Sequence, residues 1–403
     1  MAIKSRRTHV WRTRNVWAFS LASLFSDWGH EMVTSLLPGF LTAIGAPVIA
    51  LGLTEGVSKL AEALAALKGG QINDRYTGRH PVLVVGYMLT GLKALVALVS
   101  WWPWVVVLRT IGWLGRGARG PIRDAYIAQE VPPEHVGKAY GLRESFDTTG
   151  ALLGPLTAAI LVAFFPVRTL IALTAIPAVL AIVMIVRVRK LPRRMATHTV
   201  QSPGLGDPVA KWPRQFIRYR WGTLLFSAGY VAPTFFILRV WTSHVTLGPL
   251  HAHTLALLLY TLHNAVYAAG AYPVGRLADR TAGRFLLLIG YTLWVAALVG
   301  FVMNFNSVWV WVALFMATGL ATGVIELAQK MVTIRLVPQN ARGQGLGQIA
   351  ALRGGGQLAA GAVMGIVWTV STPELGFGIE SAMAILGLIW IAVAIRSGGL
   401  SNS

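Results

Sequence analysis

The chain contains no cysteine, which excludes disulfides, thiolate metal centres and thiol nucleophiles, and leaves the compartment to be argued from topology. It is also short of charge. Asp, Glu, Lys and Arg make up only 12% of 403 residues, and acids are the scarcer sign, 15 against 35 Lys plus Arg. It has no Gly-x-Ser-x-Gly elbow and no Walker loop, so serine hydrolysis and ATP-driven pumping are not expected. His30-Glu31 opens like a zinc-protease motif, but Thr34 stands where the second histidine ligand belongs. Gly345-Leu-Gly347-Gln-Ile-Ala350 fits a degenerate dinucleotide pattern, yet it opens an apolar helix with no strand before it. Neither catalysis nor a cofactor is expected.

Apolar surface fills the chain instead. Hydrophobic residues make up 55% of it and the mean hydropathy is +0.60, a balance suited to lipid as the solvent. A spanning helix needs about 20 apolar residues. Apolar runs predict helices over 16–41, 49–72, 81–102, 104–122, 138–164 and 167–187, then 220–244, 251–276, 284–304, 307–331, 343–369 and 376–395. The expected fold class is an all-α membrane protein with twelve transmembrane helices in two six-helix bundles, 1–192 and 220–403, joined by a basic linker at 193–219. Within it, Lys211 to Phe216 has the composition of a surface-lying stretch. Trp101, Trp102, Trp104, Phe164, Phe165 and Trp241 fall where an interfacial aromatic belt is expected.

The net charge of +20 would suit nucleic acid if its sources were clustered, but they alternate along the chain. Lys4 to Arg14 precede the first helix, and Arg75 to Arg79, Arg116 to Arg123, Arg187 to Arg220, Arg276 to Arg284 and Arg335 to Arg342 follow every second one. The intervening loops hold only Arg168. The positive-inside rule then places both termini and the central loop in the cytoplasm, so the basicity is topological and nucleic acid is not expected as a partner. The N-terminal apolar stretch is too long for a signal peptide and is interrupted by Asp27, His30 and Glu31, which predicts an uncleaved first helix.

The two halves repeat. Gly70-Gln-Ile-Asn-Asp74-Arg75-Tyr-Thr-Gly78-Arg79 recurs as Gly275-Arg-Leu-Ala-Asp279-Arg280-Thr-Ala-Gly283-Arg284, and Val131-Pro132, Gly137 and Gly141 recur as Val337-Pro338, Gly343 and Gly347. The offset is about 205 residues in both cases, which indicates duplicated six-helix units of the same orientation. With these motifs the chain resembles the major facilitator superfamily from about Val16 to Arg396. The loop motif is similar to that family's signature between helices two and three, with one extra residue before the second glycine and His80 in place of the usual base. Gly150-Ala-Leu-Leu-Gly154-Pro155 resembles the helix-five motif of its antiporters. Ser26-Asp27-Trp-Gly-His30-Glu31-Met32, Gly52-Leu-Thr-Glu55-Gly56 and Arg119-Gly120-Pro121-Ile-Arg123-Asp124 resemble a bacterial, exporter-like subgroup. The resemblance implies a bacterial inner-membrane carrier, alternating access, and a cavity lined by helices one, two, four and five among others. It also implies a cytoplasmic latch at the two loop motifs.

Ionisable side chains inside a bilayer cost several kcal/mol, roughly 2.5 to 3.5 each on insertion scales, so each needs a partner, a cavity or a task. They concentrate in the first half. Ser20, Ser23, Asp27, His30, Glu31 and Thr34 form one polar face of helix one, with Asp27 near the midplane. Glu55, Lys59 and Glu62 are spaced as a charge ladder on helix two, and Arg143, Glu144 and Asp147 lie on one side of helix five. Arg109 in helix four is a further candidate. Lys93 and His263 are expected to be packed residues, and Arg239, His263, Asn264, Glu326 and Arg353 lie scattered, so the second half is expected to supply shape and aromatic surface more than charge. The expected function is proton-coupled export of a small organic solute, with the acids of helices one and five carrying protons and Lys59, Arg143 or aromatics holding solute. Divalent-metal export through Asp27, His30 and Glu31 is the alternative, followed by a non-transporting receptor or assembly protein on the same fold. Two pseudo-symmetric halves make a monomer sufficient.

Overall fold

The computed structural model describes residues 13–75, 79–188, 212–243, 245, 251–280, 283–303, 305 and 307–396, with backbone alone at 70–75, 79, 279, 280 and 340. Among them every regular element is helical. The first half holds α1 (Arg14–Ala43), α2 (Val48–Arg75), α3 (Arg79–Gly91, continued by a 3-10 stretch Leu92–Leu98), α4 (Trp102–Glu130), α5 (Val136–Leu161), α6 (Val167–Leu173) and α7 (Ala175–Val186). The second holds α8 (Arg214–Ser227), α9 (Pro233–Trp241), α10 (Ala252–Arg280), α11 (Gly283–Val302), α12 (Val308–Leu336), α13 (Arg342–Val370) and α14 (Pro373–Arg396). Helices α6 and α7 are one span interrupted at Thr174, and α8 and α9 are another interrupted before Pro233, so twelve spans result.

Both breaks have local causes. Thr174 turns its hydroxyl back onto the Ile171 carbonyl at 2.6 Å, competing with the helical ladder. Ala232 precedes a proline, which disfavours the helical region, and it sits at φ −64°, ψ 142°. The sequence pattern had predicted continuous sixth and seventh helices. It had also ended helix four at residue 122, whereas α4 runs to Glu130 and carries Arg123, with Arg116 and Arg119, well inside the helix. The Trp212 to Phe216 stretch leads into α8, with Arg214 exposed and Phe216 buried.

Six spans are long and apolar enough to cross a membrane by composition alone: residues 80–98, 167–186, 283–302, 308–336, 342–370 and 373–396. The remaining legs, α1, α2, α4, α5, α8 with α9, and α10, are the polar or broken ones. Charge marks legs that face protein or a cavity in place of lipid. Trp101, Phe164 and Trp309 are exposed at span ends, as an interfacial belt requires. Trp241 is not in that belt. It is buried against Gly39 of α1 and stacked on His253 at 4.1 Å.

The start of α1, the end of α12, the start of α13 and the end of α14 carry Arg14, Arg335, Arg342 and Arg396 on what is here termed the basic face. Contacts between the halves run along α2 and α13 from Leu67 and Gly347 near the basic face to Ile49 and Thr369 at the opposite one. The Ile49 amide donates to Thr369 Oγ1 at 3.1 Å, and Asn264 donates to the Ala151 carbonyl at 3.1 Å. Beside them α2 and α13 are in backbone contact, where a Cβ built on Gly52 would stand 1.8 Å from the Gly361 carbonyl oxygen. Gly52→Ala is therefore expected to lower stability by about 1 to 3 kcal/mol through overpacking. Gly355→Ala, whose Cβ meets nothing within 4 Å, should be neutral or stabilising. Thermal denaturation of the two purified variants checks the contrast.

Candidate functional site

The polar face of α1 is reached through glycines of α5. A Cβ on Gly150 would lie 2.3 Å from the Leu24 carbonyl, and one on Gly154 would lie 2.7 Å from the Met32 amide and 2.8 Å from the Glu31 Cβ. Only residues without a Cβ let α5 lie against the turns that bear Asp27 and Glu31. Pro155 follows inside the same helix, and Trp28 Nε1 donates to Thr157 at 3.1 Å across the contact.

Facing α1 from the other side is α4, whose Arg116, Arg119 and Arg123 are spaced three and four apart and so share one helix face. Arg116 grips Asp27 bidentately, with Nη2 to Oδ2 at 3.0 Å. Arg119 donates to Ser26 Oγ at 2.7 Å and lies over the Tyr87 ring at 3.6 Å. Arg123 donates to Ser23 Oγ at 3.3 Å and pairs with Asp124 at 3.1 Å. Lys93 is buried close by, with Nζ 3.5 Å from the Ser26 carbonyl. The sequence pattern assigned these three arginines to topology and missed them as site residues. Their helical spacing was the available signal.

One turn further along α1 the partners change. His30 meets the Trp113 ring edge-on at 4.5 Å, and Lys59 sits over the same ring at 3.8 Å. Lys59 pairs with Glu62 at 3.3 Å, and Arg116 Nε lies 3.8 Å from Glu62. Glu55 is not the third rung of a helix-two ladder. It pairs across to the fully buried Arg109 at 3.0 Å, and Arg109 also donates to Thr34 at 3.2 Å. Glu31 accepts a 2.8 Å hydrogen bond from the Tyr260 hydroxyl of α10, so it is the α1 acid that touches the other half. The metal alternative loses its basis here. Asp27 turns to Arg116, Glu31 turns to Tyr260, and no group of three His, Cys, Asp or Glu converges among the described residues.

On α5, Arg143 bonds Glu144 and lies 3.6 Å from Asp147. Asp147 lines the central cavity and Glu144 is exposed. The expectation that the second half supplies little charge is corrected, because Glu326 of α12 and Arg353 of α13 pair at 2.8 Å and Tyr267 donates to Glu326 at 3.0 Å. His263 is a packed residue, 3.0 Å from Thr318 Oγ1. Gly70, Asp74, Arg75, Gly78, Arg79, Asp279 and Arg280 of the expected latch lie outside the described residues or side chains. Gly275 has open space around it, Gly283 packs α11 on Met331 of α12, and Arg284 is half-buried beside it.

The walls enclose a cavity of about 650 Å³ between the basic-face ends of α2, α4, α12 and α13, with Asp147 of α5. That size suits a small organic molecule, for which pockets run from about 300 to 1,000 Å³. Its lining lies in the basic-face half of the spans, and the Asn264, Tyr260 and Ile49 contacts join the two halves on the other side of it.

Two six-span bundles around one central cavity define a membrane carrier of small molecules. The family profile of the Major Facilitator Superfamily matches residues 19–253 and 245–400, and the chain belongs to that family. It is 25% identical over 385 residues to an uncharacterized MFS-type transporter of Methanocaldococcus jannaschii, covering 94% of this chain and 95% of the relative. It is 22% identical to the multidrug resistance protein MdtH of Yersinia enterocolitica over 368 residues, 87% of each chain. Its fold matches the crystal structure of the nucleoside transporter NupG with a TM-score of 0.78 at 11% identity, over 95% of this chain and 99% of that one.

Removing one partner of a buried ion pair strands the other. Arg116→Gln is expected to cost about 3 to 5 kcal/mol, and the double variant Asp27→Asn/Arg116→Gln to recover part of it. Thermal unfolding of Asp27→Asn, Arg116→Gln and the double variant checks this, and strictly additive losses would show that the two side chains do not act as a pair.

Proposed function

We infer that the chain is a proton-coupled antiporter that exports a small organic solute from a bacterial cytoplasm by alternating access. The observation that carries this reading is Glu31: a carboxylate within the membrane span that bonds a neutral hydroxyl from the opposite half, with no arginine or lysine among the described residues at ion-pairing distance and only the His30 ring nitrogen 3.9 Å from its other oxygen. Asp27 and Glu326 each neutralise an arginine, so protonating either would leave a buried cation alone. Glu31 can take a proton without that cost. Asp147, held to Arg143 at 3.6 Å and open to the cavity, is the second carrier. Asp27 is then the anchor that fixes Arg116 beside the solute path.

The cavity lies toward the basic face, which the positive-inside rule makes cytoplasmic, so the conformation is read as the one that loads solute from within. With the far side open, Glu31 takes a proton from outside and carries it through closure of that side; with the basic face open it releases the proton inside and bonds Tyr260 as a carboxylate, ready for the solute-loaded return. One chain contains the whole cavity, so a monomer suffices.

Proteoliposomes with an imposed pH gradient test the assignment. Glu31→Gln should abolish gradient-driven flux while solute exchange at equal pH stays within about tenfold of the parent, because exchange needs no net proton movement. Asp27→Asn should lower both together by unpairing Arg116. Full coupling in Glu31→Gln would remove that residue from the proton path.

A further inference from the structure

Charge accounting within the cavity separates solute classes. Its lining contains six cationic side chains and four carboxylates. Each of those carboxylates already has a cation: Glu62 has Lys59, Asp124 has Arg123, Asp147 has Arg143 and Glu326 has Arg353. Arg116 is matched from behind by Asp27. Among the described residues Arg119 and Lys330 have no carboxylate within 4 Å, and the acids nearest in field, Asp27 and Glu326, are each already paired with another arginine.

Arg119 is 2% exposed, one of its nitrogens bonds the neutral Ser26 hydroxyl, and its Nε and Nη1 are buried with no partner. A full charge in so dry a place is poorly screened and sets the potential of the space beside it. Lys330 stands exposed on the opposite wall, on α12. The excess therefore comes from both halves and meets across the cavity.

Resting on the reading of this cavity as the solute site, we propose that the transported solute is an organic anion, a carboxylate or phosphate ester with a small apolar body. A cation entering here finds every acid engaged and must break an ion pair to bind. A neutral solute leaves Arg119 uncompensated. An anion relieves it and gains charge-assisted bonds from the exposed Lys330 and from the free donors of the half-buried Arg116 and Arg353. Ala63, Ala66, Leu346, Ile349 and Ala350 in the lining accept the apolar body. Because the unmatched cations lie on opposite walls, the anion also removes their mutual repulsion, so its binding favours approach of the halves on the basic face. Lys330 is a contact residue, and Arg119 a positioning residue that acts through its field.

The test uses the purified full-length protein and ligand-induced thermal shifts at low ionic strength. Probes are benzoate and phenyl phosphate, matched against benzylamine and benzyl alcohol, with phosphatidylglycerol as a separate arm. Saturable stabilisation by the anions alone is expected, weakening as salt rises. Lys330→Glu should weaken anion binding by about tenfold or more by reversing an exposed charge at the site. Arg119→Gln should do so while its own thermal stability is reported separately, so that a folding defect is not mistaken for lost affinity. The anion assignment is overturned by stabilisation with the amine or alcohol in place of the anions, by no saturable shift with either anion, or by unchanged anion affinity in Lys330→Glu. A response to the anionic lipid alone overturns it in favour of a headgroup site. Binding of anions without their movement in proteoliposomes fails the transporter reading instead and leaves the anion site standing.

Discussion

A guanidinium in the middle of a membrane protein persists only when something neutral-to-negative surrounds it, and the first half is arranged around that demand. Arg116, Arg119 and Arg123 dock onto the polar face of α1, and the bidentate bond to Asp27 fixes the register of α1 against α4. Arg109 and Glu55 repeat the solution further along the bundle. Glycines make these bonds reachable. Gly150 and Gly154 bring α5 onto the same turns of α1, so charge pairing and close backbone approach select one packing together.

Much of the architecture was legible in the sequence because lipid imposes few solutions. Apolar runs gave the number of spans, and the repeated Gly-x-x-x-Asp-Arg loop gave the two halves and the family. The polar face of α1 was legible as well, since Asp27, His30 and Glu31 fall on it at helical spacing. What it could not show was pairing across helices. Glu326 and Arg353 are 27 residues apart on different helices, and nothing local announces that they meet. Glu55 had Lys59 four residues away, an ordinary helical partner, yet it bonds Arg109 on α4.

The arginines of α4 were overlooked for a different reason. The positive-inside rule counts basic residues near span ends without asking whether the helix continues, and α4 continues to Glu130. Gly115, Gly117, Gly120 and Pro121 lie within that helix, where such residues serve close packing and neighbouring helices satisfy the backbone. The rule that was used to account for the +20 charge thus hid residues that line the cavity.

The distribution of ion pairs bears on how such a molecule can move. Among the described residues every ion pair lies within one half: Asp27, Glu55, Glu62, Asp124, Glu144 and Asp147 have first-half partners, and Glu326 and Glu374 have second-half partners. The bonds that cross are of another kind, an amide to a hydroxyl, a side-chain amide to a carbonyl, and a hydroxyl to Glu31. Separating a buried ion pair costs several kcal/mol, about 3 to 5 when one partner is lost outright, whereas a neutral hydrogen bond contributes about 0.5 to 1.5. Rocking one half against the other therefore leaves the strong electrostatics intact inside each rigid bundle and exchanges only weak bonds at the seam. Glu31 is the exception, a carboxylate placed at the seam itself. A proton there changes a charged crossing bond into a neutral one, so the free energy of a titration is applied at the contact that has to break.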